Sequence, residues 1–394
     1  MKIAVIGAKG VPPKQGGIEH ICAEIYPRMV AKGHSVDLFA RSSYTCLPAF
    51  HTYDFEGVQV VSLPCLGMKG LDAFTSSGLG AALTSRGNYD IIHFHALGPS
   101  LFTWLPQLSK TTKVVVTCNG LDWQREKWGK LSSRIIQLGE QAGIRYADEF
   151  IVVTQALQSY FLKTYGRDTV VIPNAPATYA ASDPSFSFGR SLNLTPGRYV
   201  TYLGRLVPEK CPDLLIRAFQ SLNLDDDWKL VLIGGNSDTS GFVSSLNAMA
   251  EAHPNIVFTG ELRGGRLAEI MRGAGLFALP SNLEGLPLAM LEAMQEGIPI
   301  VASDIPPHQE LLSDGRGIMF QAGQEASCAA SLAWAMQHPE DMRRMAERAK
   351  ARIHECYTWD KIVADTLKVF EQVLSDRPSL LQSSMSGEPA IHIE

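Results

Sequence analysis

The sequence predicts an α/β protein made of two doubly wound, Rossmann-like parallel-sheet domains that face a central cleft. Three observations support this fold class. The chain has 394 residues, more than one hydrophobic core usually supports. Continuous apolar runs of strand length alternate with helical patterns, which is typical of parallel sheets covered on both faces. The alternation stops at residues 174–198, rich in Pro, Ala, Ser and Gly, and then begins again.

The first domain, residues 1–180, opens with a buried strand at residues 3–7. An amphipathic helix follows, because apolar residues recur at i, i+3, i+4 and i+7 from Ile18 to Val30. Gly33 ends this helix. Further strands are predicted at residues 35–40, 58–63, 90–95, 113–118, 149–153 and 169–172.

The second domain, residues 181–355, repeats the alternation. Strands are predicted at residues 199–204, 229–234, 255–260, 276–279 and 299–303, and helices at 212–222, 266–273, 288–296, 325–337 and 339–355. A separate helix within residues 356–375 follows, and we expect the Ser-, Pro- and Gly-containing tail at 376–394 to be disordered. Ligands should bind in the cleft, at the carboxyl ends of the strands.

Composition and charge exclude several classes of protein. Hydrophobic residues make up 45% of the chain and charged residues 19%, an ordinary globular balance. The N-terminus enters a strand directly, which predicts no signal peptide. Seven cysteines without a Cys-x-x-Cys pair predict reduced thiols, no structural zinc and a cytoplasmic location. The net charge of −5 argues against general nucleic-acid binding.

The charge is unevenly distributed between the two halves. Residues 1–180 contain 17 basic and 13 acidic side chains, a balance of +4, whereas the remainder carries −9. We therefore expect the first half to face an anionic partner.

The strongest motif is Ser-Asn-Leu-Glu-Gly-Leu-Pro-Leu-Ala-Met-Leu-Glu at residues 281–292. Glu284 follows a strand, and Gly285 permits close backbone approach to a ligand. Pro287 suits the first turn of a helix, where free N–H groups bind anions. Glu292 leans back toward the same ligand. Two carboxylates beside an anion site fit a ligand with hydrogen-bonding sugar hydroxyls; the alternative is a solvated helix start with incidental acids.

A second motif, Gly-Arg-Leu-Val-Pro-Glu-Lys at residues 204–210, follows the first strand of the second domain. Arg205 and Lys210 leave the carboxyl end of that strand together. Arg supplies a planar fork and Lys a point charge, a combination suited to a diphosphate. The alternative is ordinary surface pairing of either cation with Glu209.

The loop after the first strand, residues 7–19, is rich in glycine but matches neither Gly-x-Gly-x-x-Gly nor the P-loop pattern. This argues against a nicotinamide cofactor and an ATP-hydrolysing site. Gly16 and Gly17 open the first helix and leave its backbone N–H groups accessible to a phosphate or sugar.

Two other features look like functional sites, but local structure explains most of each. Three aspartates at residues 225–227 look like an Asp-x-Asp metal motif, but they lie in a polar turn away from the carboxyl ends of the strands, so no metal site is expected. His93 and His95 are expected to point to opposite faces of one strand. His95, nearest the end of the strand, is a candidate for a substrate (acceptor) site, and His93 is expected to pack in the core.

Together these motifs resemble the family-4 (group 1) retaining glycosyltransferases of the GT-B fold, over roughly residues 1–375. The resemblance implies that the C-terminal helix at 356–375 crosses back to the N-terminal domain. The resemblance implies that Arg205 and Lys210 bind the donor diphosphate and Glu292 the ribose hydroxyls. Catalytic roles are implied for Glu284, Arg205, Lys210 and Asn119. The implied donor-binding residues are Gly16, Gly17, Arg205, Lys210, Leu262, Arg263, Glu284, Gly285, Leu286, Leu288 and Glu292, with the loop at 262–263 contacting the base.

One position departs from the family pattern. Many relatives have a His after the strand at 113–118 that touches the donor sugar and phosphate, and this chain has Asn119 there. Asn hydrogen-bonds hydroxyls but cannot become cationic. The segment 120–128 is similar to polysaccharide-assembling rhamnosyl- and glucosyltransferases, and Asp122, Arg125 and His95 are the acceptor-site candidates.

The resemblance implies transfer of a hexose-type sugar from a nucleotide-diphosphate donor to a hydroxyl of a glycan or lipid-linked acceptor. Transfer is expected to proceed with retention and without a metal or other cofactor. Two alternatives remain at the level of sequence. One is a nucleotide-sugar epimerase of the same fold, and the other is a non-catalytic nucleotide-sugar-binding partner in polysaccharide assembly.

A helix from about residue 130 predicts peripheral docking on the cytoplasmic face of an anionic membrane. Its basic face carries Lys130, Arg134, Gln141 and Arg145, and its apolar stripe carries Leu131, Ile135, Leu138 and Ala142. Trp123 and Trp128 precede it, a residue type favoured at membrane interfaces. The alternative is that the apolar stripe packs on the sheet.

Overall fold

The computed structural model describes residues 1–14, 16–67, 70–109, 111–125, 128–222, 224, 228–235 and 240–375. Two sheets flanked by helices account for this part of the chain. The predicted tail at 376–394 and the three aspartates at 225–227 lie outside the described residues.

The first domain contains an eight-stranded sheet in the order β3-β4-β2-β1-β5-β6-β7-β8. Its strands are β1 Lys2–Ile6, β2 Ser35–Arg41, β3 Thr52–Phe55, β4 Val58–Leu63, β5 Ile91–His95, β6 Lys113–Cys118, β7 Glu149–Val152 and β8 Val170–Val171. Its helices are α1 Gly17–Ala31, α2 Ser42–Thr45, α3 Leu71–Thr84, α4 Lys130–Tyr146 and α5 Gln155–Tyr165, with 3-10 turns at Pro99–Phe102, Pro106–Leu108 and Asp122–Gln124.

The second domain contains a six-stranded parallel sheet in the order β11-β10-β9-β12-β13-β14. Its strands are β9 Tyr199–Leu203, β10 Lys229–Ile233, β11 Ile256–Gly260, β12 Leu276–Leu279, β13 Ile300–Ser303 and β14 Ile318–Phe320. The remaining helices are α6 Ser187–Ser191, α7 Pro212–Ser221, α8 Ser240–Ala250, α9 Gly264–Gly273, α10 Leu288–Glu296, α11 Pro306–Leu312, α12 Glu325–Gln337, α13 Pro339–Cys356 and α14 Trp359–Ser375, with a 3-10 turn at Pro208–Lys210.

The predicted parallel strands are present, and two short strands were not predicted. β3 pairs antiparallel with β4 at the edge of the first sheet, and its side chains alternate between exposed and partly buried. β14 has only three residues at the edge of the second sheet. β3 is not apolar throughout, and β14, although apolar, is shorter than the runs of about four to eight residues that predict a strand.

The order of the strands positions the cleft. β1 lies between β2 and β5, and β9 lies between β10 and β12, so the chain changes direction across the sheet at both places. In open parallel sheets, ligands bind outside the carboxyl ends of the strands at such a switch point. The loops after β1, β9 and β12 are therefore the ones that open onto the site.

The last helix returns to the first domain and packs against α1. Phe370 of α14 meets His93 edge-on, with ring centroids 5.3 Å apart. The prediction that His93 and His95 point to opposite faces of the strand is wrong. Their ring centroids are 4.4 Å apart, because residues two apart along a strand project to the same face.

The packing of α4 also differs from one expectation. The helix buries Ile136, Gly139, Glu140 and Gly143. A Cβ at Gly139 would lie 2.0 Å from the Leu97 carbonyl oxygen, so glycine permits this close contact. The alternative in which the leucine stripe packs on the sheet is wrong, because Leu131 is 73% exposed and Leu138 53%. Among the described residues, no helix is long and apolar enough to span a bilayer.

Candidate active site

The loops after β9 and β12 are joined at the carboxyl ends of these neighbouring strands. The Asn282 backbone N–H donates to the Glu209 carbonyl at 3.0 Å. Lys210 Nζ lies 2.6 Å from Glu284 Oε1, and Ser281 Oγ donates to the same oxygen at 2.8 Å. The two motifs that the sequence predicted for one site therefore meet in one hydrogen-bonded cluster.

The Glu284 carboxylate is held in its charged form. Its side chain is 10% exposed, and that of Lys210 is 17% exposed. Burial by itself raises the pKa of Glu284, but the Lys210 ammonium and the Ser281 hydrogen bond outweigh it and lower the pKa below its usual value. Because removing one member leaves the other charge buried without compensation, the pair is sensitive to mutation of either partner.

Arg205 lies beside this cluster with its side chain 42% exposed, and its Nη2 is 3.7 Å from Glu209 Oε1. Burial, followed by repulsion from Arg125, lowers the pKa of the Arg205 guanidinium. Arg125 belongs to the first domain, so two like charges face each other across the cleft. The surface pairing considered for this loop occurs for Arg205, whereas Lys210 pairs with Glu284.

The two domains touch at Gly285. A Cβ at this position would lie 1.9 Å from the Asn119 carbonyl oxygen and 3.1 Å from the Gly120 Cα. In this structure, the close backbone approach that glycine permits is therefore an approach to the first domain. The Asn119 side chain accepts a hydrogen bond from Asn174 Nδ2 at 3.2 Å. Its own Nδ2 is buried without a hydrogen-bond partner among the described residues.

The glycine loop faces the start of α10. A Cβ at Gly17 would lie 3.2 Å from Leu288 Cδ1. Gly16 has a φ of 102°, and a Cβ there would lie 2.1 Å from the Glu19 carboxylate. Glu19 accepts the Lys9 backbone N–H at 2.9 Å. Gly16 is thus required by its backbone conformation and by the nearby Glu19 carboxylate, whereas a side chain at Gly17 would meet only the end of the Leu288 side chain.

The loop after β11 also reaches the first domain. Arg263 Nη2 donates to the Lys14 carbonyl at 2.5 Å and to Glu261 Oε1 at 2.6 Å. Leu262 is partly buried against the core, and Leu286 is 8% exposed. The loop that the resemblance assigns to the base and the loop that it assigns to the phosphates are therefore in direct contact.

Glu292 has different partners from Glu284. Its Oε2 accepts a hydrogen bond from the Tyr179 hydroxyl at 2.8 Å. Burial raises the pKa of Glu292 to about 7, and the Tyr179 hydrogen bond only partly opposes this shift. Tyr179 lies in the segment predicted as a linker and was not predicted as a site residue, because no repeating pattern marks it.

The acceptor-site candidates divide into two groups. Asp122 and Arg125 pair at 3.1 Å, on the segment that follows Gly120 in the cleft. His95 is only 1% exposed, and its Nε2 lies 2.6 Å from the Tyr26 hydroxyl. Burial lowers the pKa of His95 to about 4, so its imidazole is neutral near pH 7.

His308 was not predicted, and it contacts the Glu284 cluster through Ser303 and Ser281. Its Nδ1 is 2.9 Å from the Ser303 carbonyl oxygen, and Ser303 Oγ donates to the Ser281 carbonyl at 2.5 Å. Burial lowers the pKa of His308 to about 4.

The site as a whole combines the cations of Arg205 and Lys210 with the N-terminus of α10, which follows Glu284 along the chain. Positive groups of this kind in a partly desolvated cleft stabilise negative charge on a ligand.

Two family models match most of the chain. The model described as "Glycosyltransferase Family 4" matches residues 15–176, and the one described as "Glycosyl transferases group 1" matches residues 187–352. The first match lies in the first domain. The second match includes Arg205, Lys210, Glu284 and Glu292.

Curated relatives are similar over nearly the whole chain. A D-inositol 3-phosphate glycosyltransferase from Gordonia bronchialis is 26% identical, over 91% of this chain and 84% of that protein. An enzyme of the same name from Salinispora arenicola is 27% identical, over 91% of this chain and 88% of that protein.

Solved structures share the two-domain architecture. Sucrose-phosphate synthase from Thermosynechococcus elongatus has a TM-score of 0.79 at 18% identity, covering 95% of this chain and 99% of that one. Anabaena HepE in complex with UDP-glucose has a TM-score of 0.75 at 20% identity, covering 94% and 100%. The matched families, the relatives and the fold agree, and the chain is a glycosyltransferase of the group 1, family 4 type with the GT-B fold.

Proposed function

We propose that this glycosyltransferase moves a hexose-type sugar from a nucleotide-diphosphate donor to a hydroxyl group, with retention and without a metal ion. One observation carries the proposal: the cations of Arg205 and Lys210 lie with Glu284 at the carboxyl ends of β9 and β12. This is the position where an open parallel sheet binds its ligand.

The proposed reaction breaks the bond between the anomeric carbon of the sugar and the diphosphate oxygen. The acceptor oxygen forms a new bond on the same face of the sugar, and its proton passes to the departing phosphate. Arg205 and Lys210 stabilise the negative charge that develops on the leaving group, and preorganised charges of this kind are often the largest contribution to catalysis. Glu284 orients Lys210 and accepts hydrogen bonds from the sugar hydroxyls.

The names of similar proteins suggest which donor and acceptor to test first. HepE of Anabaena was solved with UDP-glucose, so a uridine diphosphate sugar is the first donor to test. The curated relatives are named for D-inositol 3-phosphate, a soluble anionic compound. For the present chain we propose instead a glycan or lipid-linked acceptor in polysaccharide assembly, for the following reason.

The exposed face of α4 combines cations with leucines. Its exposed residues are Lys130, Leu131, Arg134, Leu138, Gln141 and Arg145. Trp104, which is 44% exposed, precedes the 3-10 turn at Pro106–Leu108, and Leu108 in that turn is 75% exposed. The Gln107 side chain of this turn donates to the Tyr146 carbonyl at the end of α4. An apolar surface bordered by cations fits an anionic bilayer. We propose that this face docks on the cytoplasmic side of a membrane and presents the cleft to a lipid-linked acceptor.

A panel of nucleotide sugars tests the proposed reaction. A transferase hydrolyses the correct donor slowly in the absence of acceptor, an epimerase produces an isomer, and a non-catalytic binder produces neither. Thermal shift with the same panel identifies the donor, because a ligand that binds the folded state raises stability by mass action. Formation of an isomer, or no reaction with any donor that binds, would refute transfer.

Liposome co-sedimentation tests the docking surface. We expect binding to anionic vesicles that weakens as salt is raised, and about tenfold weaker binding for Leu131→Ser combined with Leu138→Ser, since each leucine buries apolar surface in the bilayer. Leu162→Ser, at a leucine that is 51% exposed on α5, is the matched control. Equal and negligible binding to neutral and anionic vesicles would contradict docking.

A further inference from the structure

A buried carboxylate lies behind the acceptor side of the cleft. Glu140 of α4 is only 1% exposed. Its Oε2 accepts the Trp123 indole N–H at 2.9 Å. Its Oε1 accepts the hydroxyl groups of Tyr160 at 2.8 Å and of Tyr165 at 2.6 Å.

All three partners of Glu140 are neutral hydrogen-bond donors. Among the described residues, no cation is paired with it. Burial, together with the neighbouring carboxylate, raises the pKa values of Tyr160 and Tyr165 well above their usual range, so both hydroxyls keep the protons that they donate. Burying a carboxylate is costly unless hydrogen bonds satisfy it, and here three convergent donors do so.

Packing alone does not require a carboxylate at this position. α4 already contacts the domain closely through Gly139 and Gly143, where a Cβ would lie 2.0 Å from Leu97 O and 3.1 Å from the Phe150 ring respectively. Replacing buried charged groups with apolar residues of similar volume is often neutral or stabilising. A polar group here is therefore better explained by the segment it holds than by the stability of the core.

The segment held by Glu140 is the one that lines the cleft. Trp123 is fixed to α4 at two points, through its indole N–H and through its carbonyl, which accepts Ser133 Oγ at 3.1 Å. Gly120 precedes it and contacts the Gly285 backbone of the donor domain. Arg125 follows it and is close enough to Arg205 to repel its charge.

We propose that Glu140 is a positioning residue for glycosyl transfer: by holding the Trp123 indole, it fixes residues 120–125 against the donor domain and keeps Arg125 facing Arg205 across the cleft. The proposal rests on the proposed function, because Arg125 matters only if an anionic or hydroxylated substrate lies between the domains. Glu140 itself touches no substrate and acts through Trp123.

The test compares Glu140→Gln with Tyr160→Phe in the full chain. A glutamine has one acceptor oxygen and cannot satisfy three donors, so the side-chain contact that holds Trp123 is weakened, and only the Ser133 hydrogen bond to its carbonyl stays unaltered. Tyr160→Phe removes a hydrogen bond from the same carboxylate but leaves the Trp123 contact intact. The measurements are hydrogen exchange by mass spectrometry, and kcat and KM for hydrolysis of the donor identified by the panel.

For Glu140→Gln we expect faster hydrogen exchange at 121–125 and unchanged exchange in β6. We also expect kcat to fall about tenfold with donor KM within about twofold, since misplacing a group that orients the substrate slows the chemical step while the donor-binding domain is unaltered. Tyr160→Phe should leave kcat and the exchange of 121–125 unchanged. Trp123→Phe should reproduce the loss of kcat, and the double variant Glu140→Gln/Trp123→Phe should lose no more.

Equal losses of kcat in Glu140→Gln and Tyr160→Phe, in proportion to their losses of thermal stability, would show that Glu140 is only structural. Unchanged exchange at 121–125 in Glu140→Gln would also overturn the proposal. If Glu140→Gln does not fold, Trp123→Phe decides, because it removes the N–H that Glu140 accepts and keeps an aromatic, though smaller, side chain at this position. If the wild-type protein hydrolyses no nucleotide sugar, the proposed function fails, and the exchange of 121–125 still shows whether Glu140 orders this segment.

Discussion

The two sides of the cleft are built in different ways. On the side that we propose binds the donor, called the donor side below, Lys210 and Glu284 pair directly at the ends of neighbouring strands, and these charged groups line the cleft. On the side that we propose faces the acceptor, called the acceptor side below, the segment 120–125 carries a partly exposed pair, Asp122 and Arg125. The group that holds this segment, Glu140, lies buried behind it.

This difference separates binding chemistry from positioning. The donor side combines both in the same residues, so changing one of them alters charge, geometry and stability together. The acceptor side divides them between Arg125 in the cleft and Glu140 behind it. An enzyme built in this way can change its acceptor-facing segment while it keeps the donor cluster, provided that the contact with Gly285 is preserved. The following variants test how far this separation holds.

The largest effect is expected for Lys210→Met. We expect about a 10²- to 10³-fold loss of kcat, because a cation disappears where charge develops on the leaving group. Thermal stability should fall as well, since Glu284 is left buried without its partner. The double variant Lys210→Met/Glu284→Gln is the matched control, and it should recover stability without recovering turnover. Recovery of both would mean that Lys210 acts only by neutralising Glu284.

Gly285→Ala tests the contact between the two sides. Its Cβ would overlap the Asn119 carbonyl, so the domains cannot approach as they do here. We expect about a 10²-fold loss of kcat, because small misplacements of reacting groups are costly, with little change in melting temperature. Gly98→Ala, where the added Cβ meets nothing within 4 Å, is the control. Normal turnover of Gly285→Ala would show that catalysis does not use this contact.

Replacing Glu292 should change thermal stability in a way that depends on pH. Burial raises its pKa to about 7 in the folded protein, whereas the pKa of a Glu in the unfolded chain is about 4.3. Protonation of Glu292 in the folded state therefore adds to the free energy of unfolding. This contribution is fully present below about pH 4.3 and is lost as the pH rises through about 7. We expect Glu292→Gln to melt at a higher temperature than the wild type at pH 8, and at a similar temperature at pH 5. Melting curves at the two pH values check this.

The same carboxylate should control the affinity for the donor. If Glu292 accepts the ribose hydroxyls in its charged form, nucleotide diphosphate binding to the wild type weakens as pH falls through about 7, and Glu292→Gln binds weakly throughout. Calorimetric titration at several pH values measures both. Affinity in Glu292→Gln equal to that of the wild type would remove Glu292 from the donor site.

The smallest effect is expected from chelation. Arg205 and Lys210 supply positive charge for a diphosphate, so we expect turnover in EDTA to stay within about twofold of the untreated enzyme. The measurement is donor hydrolysis before and after dialysis against EDTA. A complete loss that Mg²⁺ or Mn²⁺ restores would contradict metal independence and require a cation on the donor side.

The contrast between the two sides also explains what could be predicted from sequence. Arg205, Lys210 and Glu284 were predicted as one site because each follows a strand of one parallel sheet, and the carboxyl ends of such strands converge. The contact of Glu292 with Tyr179 and that of Trp123 with Glu140 were not predicted. In both cases the partners lie in different helices, loops or linkers, and no local pattern relates them.

The exposed leucines of α4 illustrate the same limit. The periodicity of the sequence predicts the helix and its two side-chain stripes, but Gly139 and Gly143 decide which side packs inward. These two glycines, four residues apart, allow the close contact with the 3-10 turn at Pro99–Phe102, and this orientation leaves Leu131 and Leu138 exposed.

The sequence by itself determined the fold class, the alternation of strands and helices, and the charges of the donor loops, because these follow from local periodicity and from short motifs at strand ends. Only the tertiary structure decided that Gly285 contacts Asn119 and that a buried Glu140 holds Trp123. Those contacts join residues far apart in the chain, and their existence depends on how the two domains and their helices pack.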